Sequence, residues 1–162
     1  MIFVALGTQK FQMNRLLEAL DQLKQQKVIQ EEIYAQTGCS TYQPLTYSGS
    51  SFLNGNDFLQ KIWESEIVIT HSGVGTIMKA LNADKKVIVV PRLSEYGEHV
   101  DNHQVQIAEA FSSMNLIFMC MNLKELPELL KKIRTHHFNK YLSGNDRIVN
   151  EINHYLASIP QK

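Results

Sequence analysis

The 162 residues, 44% of them hydrophobic and 20% charged, suffice for one core of ordinary size that removes roughly 70% of the unfolded chain's surface from water, so disorder and dependence on disulfide staples are excluded. Sixteen basic and sixteen acidic side chains cancel to a net charge of zero, which removes the broad electrostatic drive of nonspecific nucleic-acid binders. Cys39 and Cys120 lie far apart with no C-x-x-C partner. A zinc knuckle or redox motif is thereby excluded, a reduced cytoplasmic setting is favoured, and both thiols are expected to be buried as small hydrophobes.

The start, Met1-Ile2-Phe3-Val4, has no basic n-region or small-residue cleavage site and reads as a first strand over 2–6, stopped by Gly7. Leu16, Leu17, Leu20 and Leu23 at helical intervals predict a helix over 15–27, and a second strand is expected over 32–35. Residues 37–56, rich in Ser, Thr, Gly, Asn and Tyr, read mostly as loop with a short strand near 47–52. A helix over 57–64 is predicted to turn Phe58, Ile62, Leu59 and Trp63 inward, ahead of a compact strand over 67–69. The pattern then repeats. A turn at 71–75 opens a helix to about Asn82, and a strand over 87–90 leads through Pro91 and a polar loop to a helix over 102–111. A last strand over 116–119 precedes helices over 124–134 and 146–157.

Continuous β-branched strands alternating with amphipathic helices predict an α/β fold with a Rossmann-like parallel sheet and helices on both faces. No repeat or linker suggests a second domain, and the longest strongly apolar runs, such as 116–121, fall far short of the roughly 18 residues a spanning helix needs. The chain is thus expected to be a single domain over 1–162 that does not itself cross a membrane.

In such a sheet the ligand sits at the carboxyl ends of the strands, where helix N-termini point free N–H groups into a crevice. Three loops fall there. In the first, Gly7-Thr8-Gln9, the glycine lets backbone approach a ligand, and Thr8 either caps the next helix or donates to a phosphate. The second, Thr70-His71-Ser72-Gly73-Val74-Gly75-Thr76, sets two glycines and three hydroxyls before a helix and is a plausible diphosphate cradle, with Ser72 as a simple helix cap the plain alternative. Met78 occupies the place of the third glycine of a dinucleotide fingerprint, and no G-K-[ST] follows. Nicotinamide-cofactor and ATPase readings lose ground accordingly.

The third loop, 91–104, carries Arg92, His99, Asp101, Asn102, His103 and Gln104, side chains able to pair with sugar hydroxyls that both donate and accept. Asp101 and Gln104 also fit a D-x-x-Q capping box. A metal site on His99 and His103 ranks low, because no third ligand is fixed by spacing. The basic stretch Lys131, Lys132, Arg134, His136, His137 and Lys140 reads as a solvated helix face, with an anionic lipid or acidic partner as the alternative. The terminal stripe Ile148, Val149, Ile152, Tyr155, Leu156 and Ile159 reads as ordinary packing.

Three segments, in order and at matching spacing, carry a resemblance: Phe3-Val4-Ala5-Leu6-Gly7-Thr8-Gln9, Ile67-Val68-Ile69-Thr70-His71-Ser72-Gly73-Val74-Gly75-Thr76-Ile77, and Val87-Ile88-Val89-Val90-Pro91-Arg92 running into Gly97-Glu98-His99-Val100-Asp101-Asn102-His103-Gln104. Over most of its length the chain resembles single-domain glycosyltransferases equivalent to the C-terminal donor half of GT-B enzymes of family 28. The nearest resemblance is to bacterial capsule and exopolysaccharide transferase subunits and to the catalytic subunit of the split dolichol-linked N-acetylglucosamine transferase.

That resemblance implies a UDP-sugar donor, a membrane-anchored partner subunit, a lipid-linked saccharide acceptor and a position at the inner face of the plasma membrane. Gly7, Thr8, Gln9 and Ser72, Gly73, Val74, Gly75 and Thr76 would surround the diphosphate, and Asp101, Asn102, His103 and Gln104 would face the sugar, with Arg92 beside them. His71 and His99 are candidates for the general base, which the partner would otherwise supply. Neither metal nor other cofactor is expected, since helix amides would stabilise the departing UDP. Relatives commonly carry an acidic residue four positions after the second glycine to accept from the ribose; here Lys79 stands there. Lysine cannot accept. A noncatalytic nucleotide-binding or scaffold subunit is therefore the alternative function.

Overall fold

A computed structural model describes residues 1–141. Strands β1 (Ile2–Ala5), β2 (Ile33–Gln36), β3 (Ser48–Ser50), β4 (Ile67–Thr70), β5 (Lys86–Val89) and β6 (Phe118–Met119) form one sheet in the order β3-β2-β1-β4-β5-β6, with every pairing parallel. Between them run α1 (Asn14–Gln25), α2 (Gly55–Glu64), α3 (Val74–Asn82) and α4 (His103–Ser113), and α5 (Leu126–Thr135) follows β6. The expected α/β architecture is present.

All residues of β1 and β4 are buried, which is why these strands are apolar without alternation. Alternate side chains still sort to opposite faces. Ile2, Val4, Ile67 and Ile69 pack with Leu16, Leu17 and Leu20 of α1 and Leu130 and Ile133 of α5. Phe3, Ala5, Val68 and Val87 pack on the other side with Ile62 of α2, Ile77 and Ala80 of α3, and Phe111 of α4. Each Val, Leu, Ile or Phe among them contributes roughly 1.5–3 kcal/mol by leaving water, and together they hold helices on both faces.

Starting at β1, the chain winds outward through β2 to β3, then crosses to the other side of β1 and proceeds through β4 and β5 to β6. The order reverses between β1 and β4. There the connections diverge to opposite faces and leave a crevice above the strand ends.

Several local expectations are corrected. Leu59 and Trp63 of α2 are 41% and 66% exposed, because Phe58 and Ile62 form the inward i,i+4 line and Leu59 and Trp63 lie about 100° further round the helix. Cys39 is exposed and Cys120 buried: Cys39 follows Gly38 on the loop beyond β2, whereas burial pushes the Cys120 thiol up to about 11. β6 pairs only through Phe118 and Met119, although Leu116 and Ile117 are buried. The helix expected over 124–134 begins as a tight turn at Leu123–Glu125 before α5. The helix expected over 146–157 and its apolar stripe lie outside the described residues.

The polar segment between β2 and β3 is held by the fully buried Asp21 of α1. Its carboxylate accepts from Tyr42 Oη at 2.7 Å, Leu45 N at 2.9 Å, Thr46 N at 2.8 Å and Thr46 Oγ1. Burial alone raises its pKa, but the hydrogen bonds from Thr46, Leu45 and Tyr42 together hold it below the usual carboxylate range. Asn14 Oδ1 adds bonds from Thr41 N and Tyr42 N, so two polar side chains of α1 hold a loop with no apolar periodicity.

Candidate functional site

Above the reversal between β1 and β4 lies a cleft of about 400 Å³, lined by Gly7, Thr8, Gln9, Gln36, Leu53, Gly55, Phe58, His71, Gly73, Gly75, Thr76 and Lys79. Seven of these are among the site residues read from the sequence. They come from the first and second loops, which are 60 positions apart in the chain yet adjacent because β1 and β4 pair in register, Ala5 beside Thr70.

Gly7 adopts φ +75°, a backbone conformation that costs other residues about 1 kcal/mol or more. Its N–H donates to Gln36 Oε1 at 3.0 Å, and Gln36 Nε2 returns a bond to Gly7 O at 2.7 Å. The amide of Gly7 is therefore committed to β2, while Thr8 and Gln9 beyond it are exposed at the cleft. Thr8 does not cap α1. That helix starts at Asn14, whose N–H donates to Gln12 Oε1 at 2.7 Å.

His71 is only 7% exposed, its ring packed between two glycines: a Cβ on Gly7 would come within 2.6 Å of the ring and one on Gly73 within 2.4 Å. Both glycines are required for that fit. Burial, followed by the nearby Arg92 charge, lowers the His71 pKa to about 4, and the Ala5 carbonyl offsets this in part. The ring is neutral at physiological pH. Nδ1 lies 3.3 Å from Ala5 O; a proton there donates to that carbonyl and leaves Nε2 as an acceptor.

The backbone then turns into α3, Gly73 N donating to His71 O at 2.8 Å. Gly73 is the N-cap residue and no side chain caps the helix. Thr76 N and Ile77 N both return to Gly73 O, whereas the N–H groups of Val74 and Gly75, at the first two helical positions, have no hydrogen-bond partner among the described residues. Ser72 is not a cap: its amide donates to Gln104 Oε1 at 3.2 Å, and its buried Oγ has no partner. Ser72 and Val74 lie in the turn but outside the residues lining the cleft.

The third loop is placed differently from expectation. Arg92 is fully buried, and its guanidinium donates to Leu6 O at 2.7 Å, Phe11 O at 2.9 Å, Gln12 O at 3.2 Å and Glu98 O at 3.1 Å. It ties the first loop to the third and does not face the cleft. Gln104 Oε1 accepts from both Ser72 N and Arg92 N, joining loops two and three, so it does not close a capping box. Asp101, one residue before the N-cap Asn102, accepts from His103 N at 3.0 Å and also holds His99 Nδ1 at 3.0 Å. Asn102 Oδ1 accepts from Ser94 N and Oγ, and His103 Nδ1 meets Gln106 Oε1. His99 packs on Phe11 with ring centroids 5.5 Å apart. These side chains stabilise the loop on the rim beside the cleft and do not line it. Among the described residues no group of three or more His, Cys, Asp or Glu is placed to hold a metal ion.

Gln36, Leu53, Gly55 and Phe58 were not among the site residues expected from sequence. Gln36 carried a signal, being a polar side chain at the end of the apolar strand β2. Phe58 read as core and does touch Phe3, edge to face at 5.4 Å, but it also walls the cleft. The basic stretch is remote: Arg134 pairs with Glu31 and lies with Ile67 and Lys86 at the opposite, amino ends of β4 and β5, and Lys132 pairs with Glu128.

The family model for the glycosyltransferase family 28 C-terminal domain matches residues 1–151. The chain belongs to this family. Among curated proteins, a 111-residue segment covering 68% of this family 28 chain is 25% identical to UDP-N-acetylglucosamine transferase subunit ALG13 of Candida albicans, and a 92-residue segment is 33% identical to the protein of that name in Saccharomyces cerevisiae. The matched segments span 34% and 44% of those relatives, so the chain corresponds to less than half of either. The crystal structure of the glycotransferase of kitacinnamycin superposes on 97% of this chain and 39% of that one, with a TM-score of 0.63 at 12% identity. The shared feature at that identity is the fold, the α/β Rossmann-like half of a GT-B glycosyltransferase.

Proposed function

We propose that this single-domain chain is the catalytic, donor-binding subunit of a two-component glycosyltransferase. It holds a UDP-sugar in the cleft at the β1/β4 reversal, and a membrane-anchored partner presents a lipid-linked saccharide. The observation that carries this reading is the cleft itself, lined by Gly7, Gly73 and Gly75, with open space at Gly75 beside the free amides of Val74 and Gly75. Such amides at a helix N-terminus suit a diphosphate and would stabilise the leaving UDP without a metal. The curated relatives are named as UDP-N-acetylglucosamine transferase subunits, which makes UDP-N-acetylglucosamine the first donor to test. Their names give no support to a capsule or exopolysaccharide product.

No helix among the described residues is long and apolar enough to cross a membrane. A partner would therefore hold the chain at the cytoplasmic membrane face. The loop that carries Asp101, Asn102 and His103 is tied to the second loop through Gln104, and the transferred sugar and the partner would meet on that side. Neutral His71 offers Nε2 as an acceptor to a ligand hydroxyl, yet a pKa of about 4 makes it a weak base at neutral pH. The proton of the acceptor hydroxyl then passes to a base on the partner; His99, the other candidate on this chain, pairs with Asp101 and is not among the residues lining the cleft. The lack of a strong base in the cleft is also what favours the second reading, a noncatalytic nucleotide-binding or scaffold subunit.

Gly75→Val separates ligand binding from folding. A Cβ at Gly75 meets nothing within 4 Å, so the variant keeps its melting temperature while its methyls project into the cleft. UDP and UDP-N-acetylglucosamine are expected to raise the wild-type melting temperature, by an amount corresponding to about 2.7 kcal/mol at a hundredfold excess over Kd. In Gly75→Val binding falls at least tenfold, and transfer reconstituted with the membrane subunit is lost. Absence of a shift at millimolar nucleotide, with and without partner, contradicts the proposal. Binding without reconstituted transfer selects the noncatalytic reading.

A further inference from the structure

The cleft contains one formally charged side chain among the described residues, Lys79, and no carboxylate. Its other polar side chains are Thr8, Gln9, Gln36, the neutral His71 and Thr76, and Gln36 is spent on Gly7 and Ser51. Lys79 is exposed on α3, four positions after Gly75 and three after Thr76, so all three share the helix face that forms the cleft wall. Its ammonium rests over the Phe58 ring, 5.4 Å from the centroid, with no carboxylate partner among the described residues. A helical side chain leans toward the N-terminus of its helix, which directs this cation toward the free amides of Val74 and Gly75.

We propose that Lys79 is a specificity-determining residue of the cleft, pairing with an anionic oxygen of the nucleotide sugar. The inference rests on the proposed donor site and adds to it that recognition there is by charge. Two groups on such a ligand offer that oxygen: the diphosphate, and the carboxylate of a uronic acid sugar. The diphosphate is favoured, because the first-turn amides and Lys79 then converge on one group. The Phe58 face stores the ammonium when no anion is present.

The test is calorimetric titration of wild type, Lys79→Met, Lys79→Arg and Lys79→Glu with UDP, UDP-N-acetylglucosamine, UDP-glucuronic acid, ADP and inorganic pyrophosphate, at low and high salt. Lys79 is exposed, so the variants fold, and a thermal melt confirms it. Expected are an approximately tenfold or greater loss of UDP binding in Lys79→Met, a larger loss in Lys79→Glu, retention in Lys79→Arg, and weaker wild-type binding at high salt. Loss confined to UDP-glucuronic acid supports the proposal with the sugar carboxylate as the anion. Binding of UDP and of UDP-glucuronic acid both unchanged in Lys79→Met and Lys79→Glu overturns it while leaving the donor site standing. Lys79-dependent binding of ADP or pyrophosphate without UDP binding supports the charge role and refutes the uridine donor. No binding of any of these anions overturns both.

Discussion

Arg92→Met is expected to lose about 3–5 kcal/mol of stability, as buried charge networks do when one partner is removed. The guanidinium bonds four backbone carbonyls from three segments, those of Leu6, Phe11, Gln12 and Glu98. Methionine fills much of the volume but leaves these acceptors without a donor, each at about 1–3 kcal/mol if it stays dry. The neighbouring Glu98 carboxylate keeps Arg15 at 2.8 Å and Leu93 N at 3.1 Å, so the loss reports the carbonyl cluster and not a stranded acid. Arg92→Lys recovers only part, because an ammonium is a point donor without the planar fork. Urea unfolding at pH 7 measures both variants. A loss below about 1 kcal/mol in Arg92→Met would contradict the structural role.

Acidification supplies the second large effect. The His71 pKa, lowered to about 4 by burial and then by the Arg92 charge, lies below the usual value of about 6.5 that holds in the unfolded chain. Between those values the unfolded state binds a proton that the native state does not, so stability rises with pH across the window and is lost as pH falls through it. The contribution approaches about 3 kcal/mol near pH 4. His71→Asn carries its own packing cost at every pH but removes this slope. Denaturant midpoints of wild type and variant are expected to converge between pH 6.5 and 4, and parallel curves would show that the ring is not held neutral.

The order of elements was legible because parallel strands buried on both faces must be apolar, and 67–69 and 87–90 are. The glycines of the loops after β1 and β4 were legible because chain reversal after a strand and close backbone approach both call for that residue. The third loop was legible only as polar density: Arg92, Asn102 and Gln104 bond backbone groups of their own and of neighbouring loops, at separations running from 8 to 86 residues that leave no periodic trace. Phe58 and Gln36 escaped for the opposite reason: a helix face and a strand end each belong to the core and the cleft together, and periodicity reports only the core. The exposed Leu59 and Trp63 show the same limit, since a broad apolar stripe does not say how much of it the sheet covers.

In the proposed donor site the loops after β1 and β4 grip a nucleoside diphosphate. Amide-resolved NMR during a UDP titration reads that grip, because the N–H groups of Val74 and Gly75 have no other partner among the described residues. Saturable shifts are expected at Thr8, Gln9, Val74, Gly75 and Thr76, with residues at the opposite end of the sheet, such as Lys86, unmoved. UDP that shifts none of these amides, or that binds elsewhere on the chain, would contradict it.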